Sequence, residues 1–348
     1  MAFENLADKL AKKTFLSPDF QKSWAGHMAA FGPILEPAFS EDYQSRVHLT
    51  AALNLISNRK IGEGLKKLQS LQGKCKNDAD KAALLFFMGV SFEMTGHQEQ
   101  MLECYTYANE YDHRFYMPYL KVAKFYLSGC AYDKAADNYL QGIQCFSATG
   151  PDERDRLILG SAYTNYATCL MMMHRYEEAE SALSSSRSLY PDAPGRSATE
   201  ATLAALRGDQ AQADACLELL KAHTPDAWEE VRQTVSRILA GTDPLFFPVE
   251  LDAEKISGFW QWFADYEATL QDLLLHEKYE AGVDTVAEQL LQVFPFLEER
   301  PYIALGKDDA GFILELHDMY AVAVIHAYKA LLEHRPEAEH LIRFVVTH

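Results

Sequence analysis

The sequence lacks the motifs that would indicate a familiar enzyme, a secreted protein or a membrane protein. It has no phosphate-binding loop, no dinucleotide fingerprint after a strand, no HExxH zinc motif and no GxSxG nucleophile elbow. No apolar run approaches the roughly 18 residues of a membrane span, and no apolar signal segment follows the N-terminal lysines. We therefore expect a cytoplasmic protein without catalytic residues, cofactor, metal or membrane partner.

Disulfide and metal spacings are also missing. The six cysteines include no CxxC pair, and most fall inside apparent helices: Cys75, Cys104, Cys130, Cys145, Cys169 and Cys216. A thiol on an apolar helix face behaves as a small hydrophobic group, so we interpret them as buried residues of a reduced protein.

A surplus of positive charge is absent as well. The chain has 50 acidic residues against 32 lysines and arginines, a formal charge of −18. Phosphate backbones require basic surfaces, so we expect no nucleic-acid partner. The charge is uneven, because residues 1–80 hold 11 basic and 9 acidic side chains whereas residues 241–348 hold 7 and 20. The C-terminal region is therefore the more acidic end.

What the sequence does contain is a helical pattern, which is clearest between Gly160 and Pro191. This stretch reads GSAYTNYATCLMMMHRYEEAESALSSSRSLYP, and its apolar spacing predicts two amphipathic helices that meet at a turn near His174. Ala179 is small where two helices must approach closely. Pro191 ends the unit because proline cannot continue a helix.

The unit closely resembles the tetratricopeptide repeat, a helix pair of 34 residues. The matching consensus positions are Tyr163, Tyr166, Ala167, Leu170, His174, Ala179, Leu183, Ser186 and Pro191, with His174 in place of the usual glycine. Clear units also start at Ala82 and Tyr116, weaker ones start near Ser45 and Pro194, and a ten-residue surplus falls at 147–156. The resemblance covers about residues 45–227.

The resemblance implies a fold class that is mainly α: a tetratricopeptide-type α-α superhelix followed by a small α+β domain. We predict capping helices over residues 1–44, since an open solenoid end exposes its core. The solenoid, with about five helix pairs and a closing helix, is expected over 45–240. A linker over 241–252 and an α+β domain over 253–348 complete the expected organisation.

The last region begins with an aromatic helix and continues with strand-like segments. We predict strands at Tyr302–Leu305, Phe312–Leu316 and Leu341–Val346, and a helix from Met319 to Glu333. The region weakly resembles an uncharacterised bacterial α+β domain with an FWxWF-like helix, which implies no activity. We interpret its aromatic cluster as core, with ring stacking or peptide clamping as the alternative: Phe259, Trp260, Trp262 and Phe263.

In the tetratricopeptide family, the first helix of each unit lines a concave groove. The matching positions of the three clear units are Phe86, Val90, Met94, Met117, Leu120, Lys124, Leu127, Thr164, Thr168, Met171 and Met172. Flexible methionines suit adaptable surfaces, so we expect a protein or peptide partner that presents an apolar segment. Lys124 has no asparagine beside it at these positions, which argues against the family's clamp for chaperone C-termini.

Two other functions stay open. In the first, the groove is filled by the chain's own segments or by a neighbour's segment in a homo-oligomer. In the second, the C-terminal domain holds an enzyme site around His317, Asp318 and His326, or a cation at Asp308 and Asp309. We interpret His317–Asp318 and Asp308–Asp309 as polar turns and place His326 on the helix that follows.

Overall fold

The structure is a computed structural model that describes most of the chain. The described residues are 18, 21–22, 25–27, 35–40, 42–146, 153–191, 195–276, 278–297, 301–308, 311–336 and 342–347. Most of the predicted N-terminal capping helices and the loop at 147–152 lie outside these residues. Among the helices that the structure describes, none combines the length and the apolar character needed to cross a bilayer.

Helices joined by short turns follow one another through the first two thirds of the chain. They are α1 (Tyr43–Ser57), α2 (Ile61–Gln69), α3 (Asp78–Thr95), α4 (Gln98–Tyr111), α5 (Tyr116–Ser128), α6 (Tyr132–Phe146), α7 (Glu153–Met172), α8 (Tyr176–Leu189), α9 (Arg196–Leu206), α10 (Gln210–His223) and α11 (Pro225–Leu239). Consecutive helices pack as pairs, for example α3 on α4 and α9 on α10.

The turn inside every pair has the same backbone feature, a residue in the left-handed region. The φ angles are 60°, 76°, 56°, 60° and 75° for Arg59, Gly96, Cys130, His174 and Gly208. These residues stand 37, 34, 44 and 34 positions apart, the spacings predicted for the unit starts. A left-handed residue ends a helix by letting the chain fold back on its last turn. The predicted tetratricopeptide-like fold class is therefore confirmed by the recurring geometry of the chain itself.

The chain divides into two compact units, which we describe separately. The N-terminal unit is residues 1–128 and 134–162, and the C-terminal unit is residues 129–133 and 163–348. The division passes through α7. The predicted domain boundaries at 44, 240 and 252 stay predictions.

The core of the N-terminal unit runs from α1 to α5 and depends on close helix approach. A Cβ atom at Gly89 on α3 would lie 2.6 Å from the Tyr105 ring on α4, so this contact requires glycine. Buried Asp80 accepts hydrogen bonds from the backbone N–H groups of Phe39 (2.7 Å) and Lys76 (2.9 Å). These bonds hold the segment before α1 against the start of α3.

In the C-terminal unit, the predicted linker is packed on both sides. The carboxylate of buried Asp243 accepts a hydrogen bond from Arg237 at 3.0 Å, at the end of α11. The carbonyls of Pro244 and Leu245 accept the N–H groups of Ala323 and Val322, both at 3.1 Å. This segment therefore connects the last repeat helix to the following domain through fixed hydrogen bonds.

The C-terminal α+β domain contains α12 (Ala253–Leu275), α13 (Tyr279–Val293), β1 (Ile303–Asp308), β2 (Gly311–His317), α14 (Val322–Glu333) and β3 (Ile342–Thr347). The sheet order is β1-β2-β3, with β1 antiparallel and β3 parallel to β2. The hairpin strands extend further than predicted, because Asp308 pairs with Gly311 across the turn. Helix α14 begins three residues later than predicted, after a turn in which Met319 and Tyr320 have φ angles of 49° and 58°.

The aromatic helix α12 forms the centre of this domain. Phe259, Trp260 and Phe263 are at most 2% exposed, and all three rings contact Phe344 on β3. The Trp260 indole N–H donates to the carbonyl of Leu331 at 2.8 Å, which satisfies the polar atom of a buried ring. The structure therefore places these three aromatic side chains in the core.

Candidate peptide-binding surface

The eleven predicted groove residues lie on α3, α5 and α7, the first helices of three pairs. Seven belong to the N-terminal unit and four to the C-terminal unit. We describe the two sets in turn.

On α3, burial falls steeply from one predicted residue to the next. Phe86 is completely buried, and Val90 is half-buried against the same core. Met94, one turn further along the helix, is 49% exposed. The three residues follow one stripe of the helix at intervals of four, so the stripe leaves the core as it approaches the end of α3.

On α5, the predicted residues form a half-buried stripe. Met117 packs against the core of the unit, and Leu120 lies against Gly142 on α6, where an added Cβ would come within 2.7 Å of Leu120 Cδ2. Lys124 is exposed and Leu127 is half-buried. The exposed end of this stripe is therefore both cationic and apolar.

An ion pair joins α3 to α5 along this surface. Lys121 Nζ lies 2.8 Å from Glu93 Oε2, and the same oxygen accepts the Tyr105 hydroxyl at 2.8 Å. Burial, together with the Glu93 carboxylate, raises the pKa of Tyr105 far above its usual value, so the hydroxyl stays protonated and donates. Lys121 is not a consensus groove position, and the repeat register gave no signal for it.

On α7, the predicted residues take part in packing between helices. The Thr164 hydroxyl lies 2.9 Å from Ser186 Oγ on α8, and the Thr168 hydroxyl lies 3.2 Å from Thr199 Oγ1 on α9. Met171 and Met172 are 5% and 7% exposed. Hydroxyl and thioether groups at these positions stabilise the repeat rather than present a surface to solvent.

His174, which follows this stretch, contacts the C-terminal domain. Its Nε2 atom lies 3.3 Å from the carbonyl oxygen of Tyr320, and its Nδ1 atom lies 3.0 Å from the Tyr176 hydroxyl. Its ring stands edge-on to Phe246, with centroids 6.3 Å apart. The side chain that replaces the family's usual glycine is thus used for docking within the C-terminal unit, a role that sequence reasoning missed.

The residues considered for an enzyme site differ in their exposure and in their contacts. Asp318 is completely buried and accepts the backbone N–H of Tyr320 at 2.9 Å, whereas His326 is exposed on α14. The His317 ring packs edge-on against Tyr302, with centroids 5.1 Å apart. Within the described ranges, no three histidine, cysteine or acidic side chains lie together as metal ligands. Asp309 lies outside the described residues.

No protein-family model matches the sequence, and neither does any curated protein. Among solved structures, PilF from Pseudomonas aeruginosa is similar to the chain at 13% identity and a TM-score of 0.37, over 72% of this chain and 92% of that one. The C-terminal part of a TPR repeat-containing protein from Cytophaga hutchinsonii is similar at 15% identity and a TM-score of 0.36, over 84% and 95%. Such low scores support no functional argument.

Proposed function

We propose that the chain is a protein-interaction module that binds an apolar segment of another polypeptide on the N-terminal unit. The surface, here called the α3–α5 face, consists of Val90, Met94, Met117, Leu120, Lys124 and Leu127. The exposure of Met94, at 49%, is the observation that carries the proposal. A large apolar side chain left in solvent, next to Glu93 in the sequence, is available to a partner, unlike the buried methionines of α7.

The chemistry of the face indicates the kind of segment that it would bind. Met94 and the half-buried apolar residues proposed for the same face offer a flexible apolar contact, which suits an amphipathic helix or an extended apolar stretch. Lys121 is already paired with Glu93, whereas Lys124 is exposed. We therefore expect an acidic residue beside the apolar anchors of the partner.

Site-specific photo-crosslinking in cells tests this proposal. A photoreactive amino acid replaces Met94 in one variant and Leu219 in the other, a control on α10 that is 51% exposed. We expect discrete adducts with another protein from position 94 and none from position 219. Lys124→Glu should weaken the adducts, because it opposes an acidic partner. Equal adducts from both positions would show that the face has no specific partner.

Self-occupancy of the surface is the rival, and the same experiment identifies it. Crosslinks from position 94 to the chain itself would show that an own or neighbouring segment fills the face. Light scattering over a dilution series then separates the two cases, since a strict monomer excludes a neighbour's segment.

A further inference from the structure

Among the strands that the structure describes, β1 forms one edge of the sheet and pairs only with β2. The His317 N–H donates to the Tyr302 carbonyl at 3.0 Å, so this residue pair is hydrogen-bonded across the antiparallel ladder. In such a ladder, residues that bond the neighbouring strand alternate with residues whose N–H and C=O groups point away. The groups of Ile303, Leu305 and Lys307 therefore point away from β2, and in the described part of the chain no strand pairs with them.

A cavity of about 470 Å³ lies beside these same residues. Its walls include Tyr279, Val283, Ile303, Leu305, Lys307 and Phe312. The strand register places the three β1 residues opposite Leu316, Leu314 and Phe312, on the face that packs against the helices. The volume falls within the roughly 300–1,000 Å³ of cavities in which proteins bind ligands.

Strand β3 forms the opposite edge of the sheet, and side chains cover the backbone groups of its first residue, in contrast to β1. The Ile342 N–H donates to Glu267 Oε1 at 2.9 Å, and Arg335 donates to the Ile342 carbonyl at 3.2 Å. Proteins cover or charge their sheet edges because unpaired strands recruit other strands. On β1, the charged Lys307 side chain lies over the Phe312 ring, with Nζ 5.2 Å from its centroid. No comparable contact to the outward backbone groups of β1 is found within the described ranges.

We propose that β1 binds an extended segment of a partner protein by strand addition, with a large apolar side chain of that segment in the cavity. Main-chain hydrogen bonds supply affinity in this mode, and a pocket for alternate side chains supplies specificity. Because residues 241–348 hold 20 acidic against 7 basic side chains, the segment carries basic residues at its ends. This site is separate from the α3–α5 face and does not depend on it.

A synthetic peptide on the full-length chain tests the proposal. The probe is a fluorescein-labelled nonapeptide in which valine or leucine alternates with threonine and each end carries a lysine. We expect its anisotropy to rise on binding. The segment is taken to add antiparallel to β1, so the backbone nitrogens of the valines and leucines, whose side chains lie on the cavity side, face β1. Methylation of these nitrogens should abolish binding. Methylation of the threonine nitrogens, which point outward, should leave binding unchanged.

Two protein variants, each with a control, locate the peptide. Lys307→Pro removes one outward N–H and should weaken binding about threefold to tenfold, the effect of one net hydrogen bond. Lys307→Ala keeps that N–H and should bind more tightly than the proline variant. Val283→Trp fills the cavity and should abolish binding, whereas Val283→Ala keeps it open. Far-ultraviolet circular dichroism and the melting temperature confirm that each variant is folded.

Several outcomes would overturn the proposal. Equal binding of the two methylated peptides would exclude a main-chain ladder. Unchanged binding by folded Lys307→Pro and Val283→Trp would place the peptide elsewhere, and sensitivity to Lys124→Glu would then assign it to the α3–α5 face. A concentration-dependent dimer that Lys307→Pro disrupts would make a second copy of the chain the occupant of the edge.

Discussion

Helices α3 and α5 in the N-terminal unit share a repeat register with α7 in the C-terminal unit, yet the same positions serve different purposes. Met94 on α3 is 49% exposed, whereas Met171 and Met172 on α7 are 5% and 7% exposed. The register fixes the direction in which a side chain leaves its helix. Whether the side chain is exposed to solvent depends on the residues around it. A consensus groove position therefore indicates where a side chain points, but not that a partner can reach it.

The largest effect is expected from Phe86→Ala, because Phe86 is a predicted groove residue that the structure places inside the core. Its ring lies 5.3 Å from Phe87, 5.7 Å from Tyr105 and 5.1 Å from Phe115, between centroids. Truncation leaves a cavity and should reduce the free energy of unfolding by about 3–5 kcal/mol. Denaturant titration of the full chain measures the loss. A change within about 0.5 kcal/mol, typical of surface positions, would mean that Phe86 faces a groove after all.

A smaller loss is expected from Thr164→Val on α7. Removing one partner of a buried hydrogen bond costs about 1–3 kcal/mol, and here the Ser186 hydroxyl loses its contact with Thr164. A double-mutant cycle with Ser186→Ala isolates the pair, since each single substitution breaks the same contact. Unfolding energies that add to within about 0.5 kcal/mol would indicate no coupling and would remove the packing role assigned to this position.

The turn residues His174 and Arg59 hold the same position in two helix pairs, so their substitutions can be compared directly. His174→Gly and Arg59→Gly both relieve a left-handed backbone, with φ of 60° at each residue. Only His174→Gly also removes side-chain contacts, those to Tyr320 and Phe246. We measure the change in the free energy of unfolding of each variant relative to the parent chain. This change should be less favourable for His174→Gly than for Arg59→Gly by about 1 kcal/mol. Faster amide exchange at Val322, which bonds to Leu245, should accompany His174→Gly. Equal effects of the two substitutions would show that the histidine does not dock the domain.

The sequence predicted the repeat well because its period depends on local rules. The left-handed turn residue occupies the same position in every repeat unit. Side chains as different as those of Arg59 and Cys130 occupy this position. The spacing therefore identified the units, whereas the residue type at the turn did not. Long-range contacts could not be found in this way. The Glu93–Lys121 bridge joins residues 28 positions apart, and His174 reaches Tyr320 across 146 positions. Lys121 and Tyr320 hold no motif position, so nothing in a single sequence pairs them with Glu93 and His174.

The hairpin shows the same limit on a smaller scale. Gly306, Lys307 and Asp308 look like a loop by composition, yet cross-strand pairing with residues 311–313 extends β1 through them. Pairing with a neighbouring strand overrides weak strand propensity. The extended edge of β1 is the one proposed to bind a peptide. That proposal therefore depends on the strand register, and no sequence motif predicted it.

The smallest effect on stability is expected from Met94→Ala. The side chain is half exposed, so truncation should change the free energy of unfolding by no more than about 0.5 kcal/mol. The substitution should nevertheless weaken partner binding to the α3–α5 face, because it removes an apolar anchor. The matched control is Met171→Ala on α7, which should destabilise the chain through the cavity that it leaves.

Peroxide oxidation checks the exposure behind this contrast without any substitution. Conversion of a methionine to its sulfoxide requires access to the sulfur, so Met94 should be oxidised before Met171 and Met172, as followed by peptide mass spectrometry. Addition of a partner that covers the α3–α5 face should slow oxidation of Met94 and leave the two α7 residues unchanged. If all three residues react at one rate in the folded chain, the exposure difference between the two helices does not exist, and the case for the α3–α5 face fails with it.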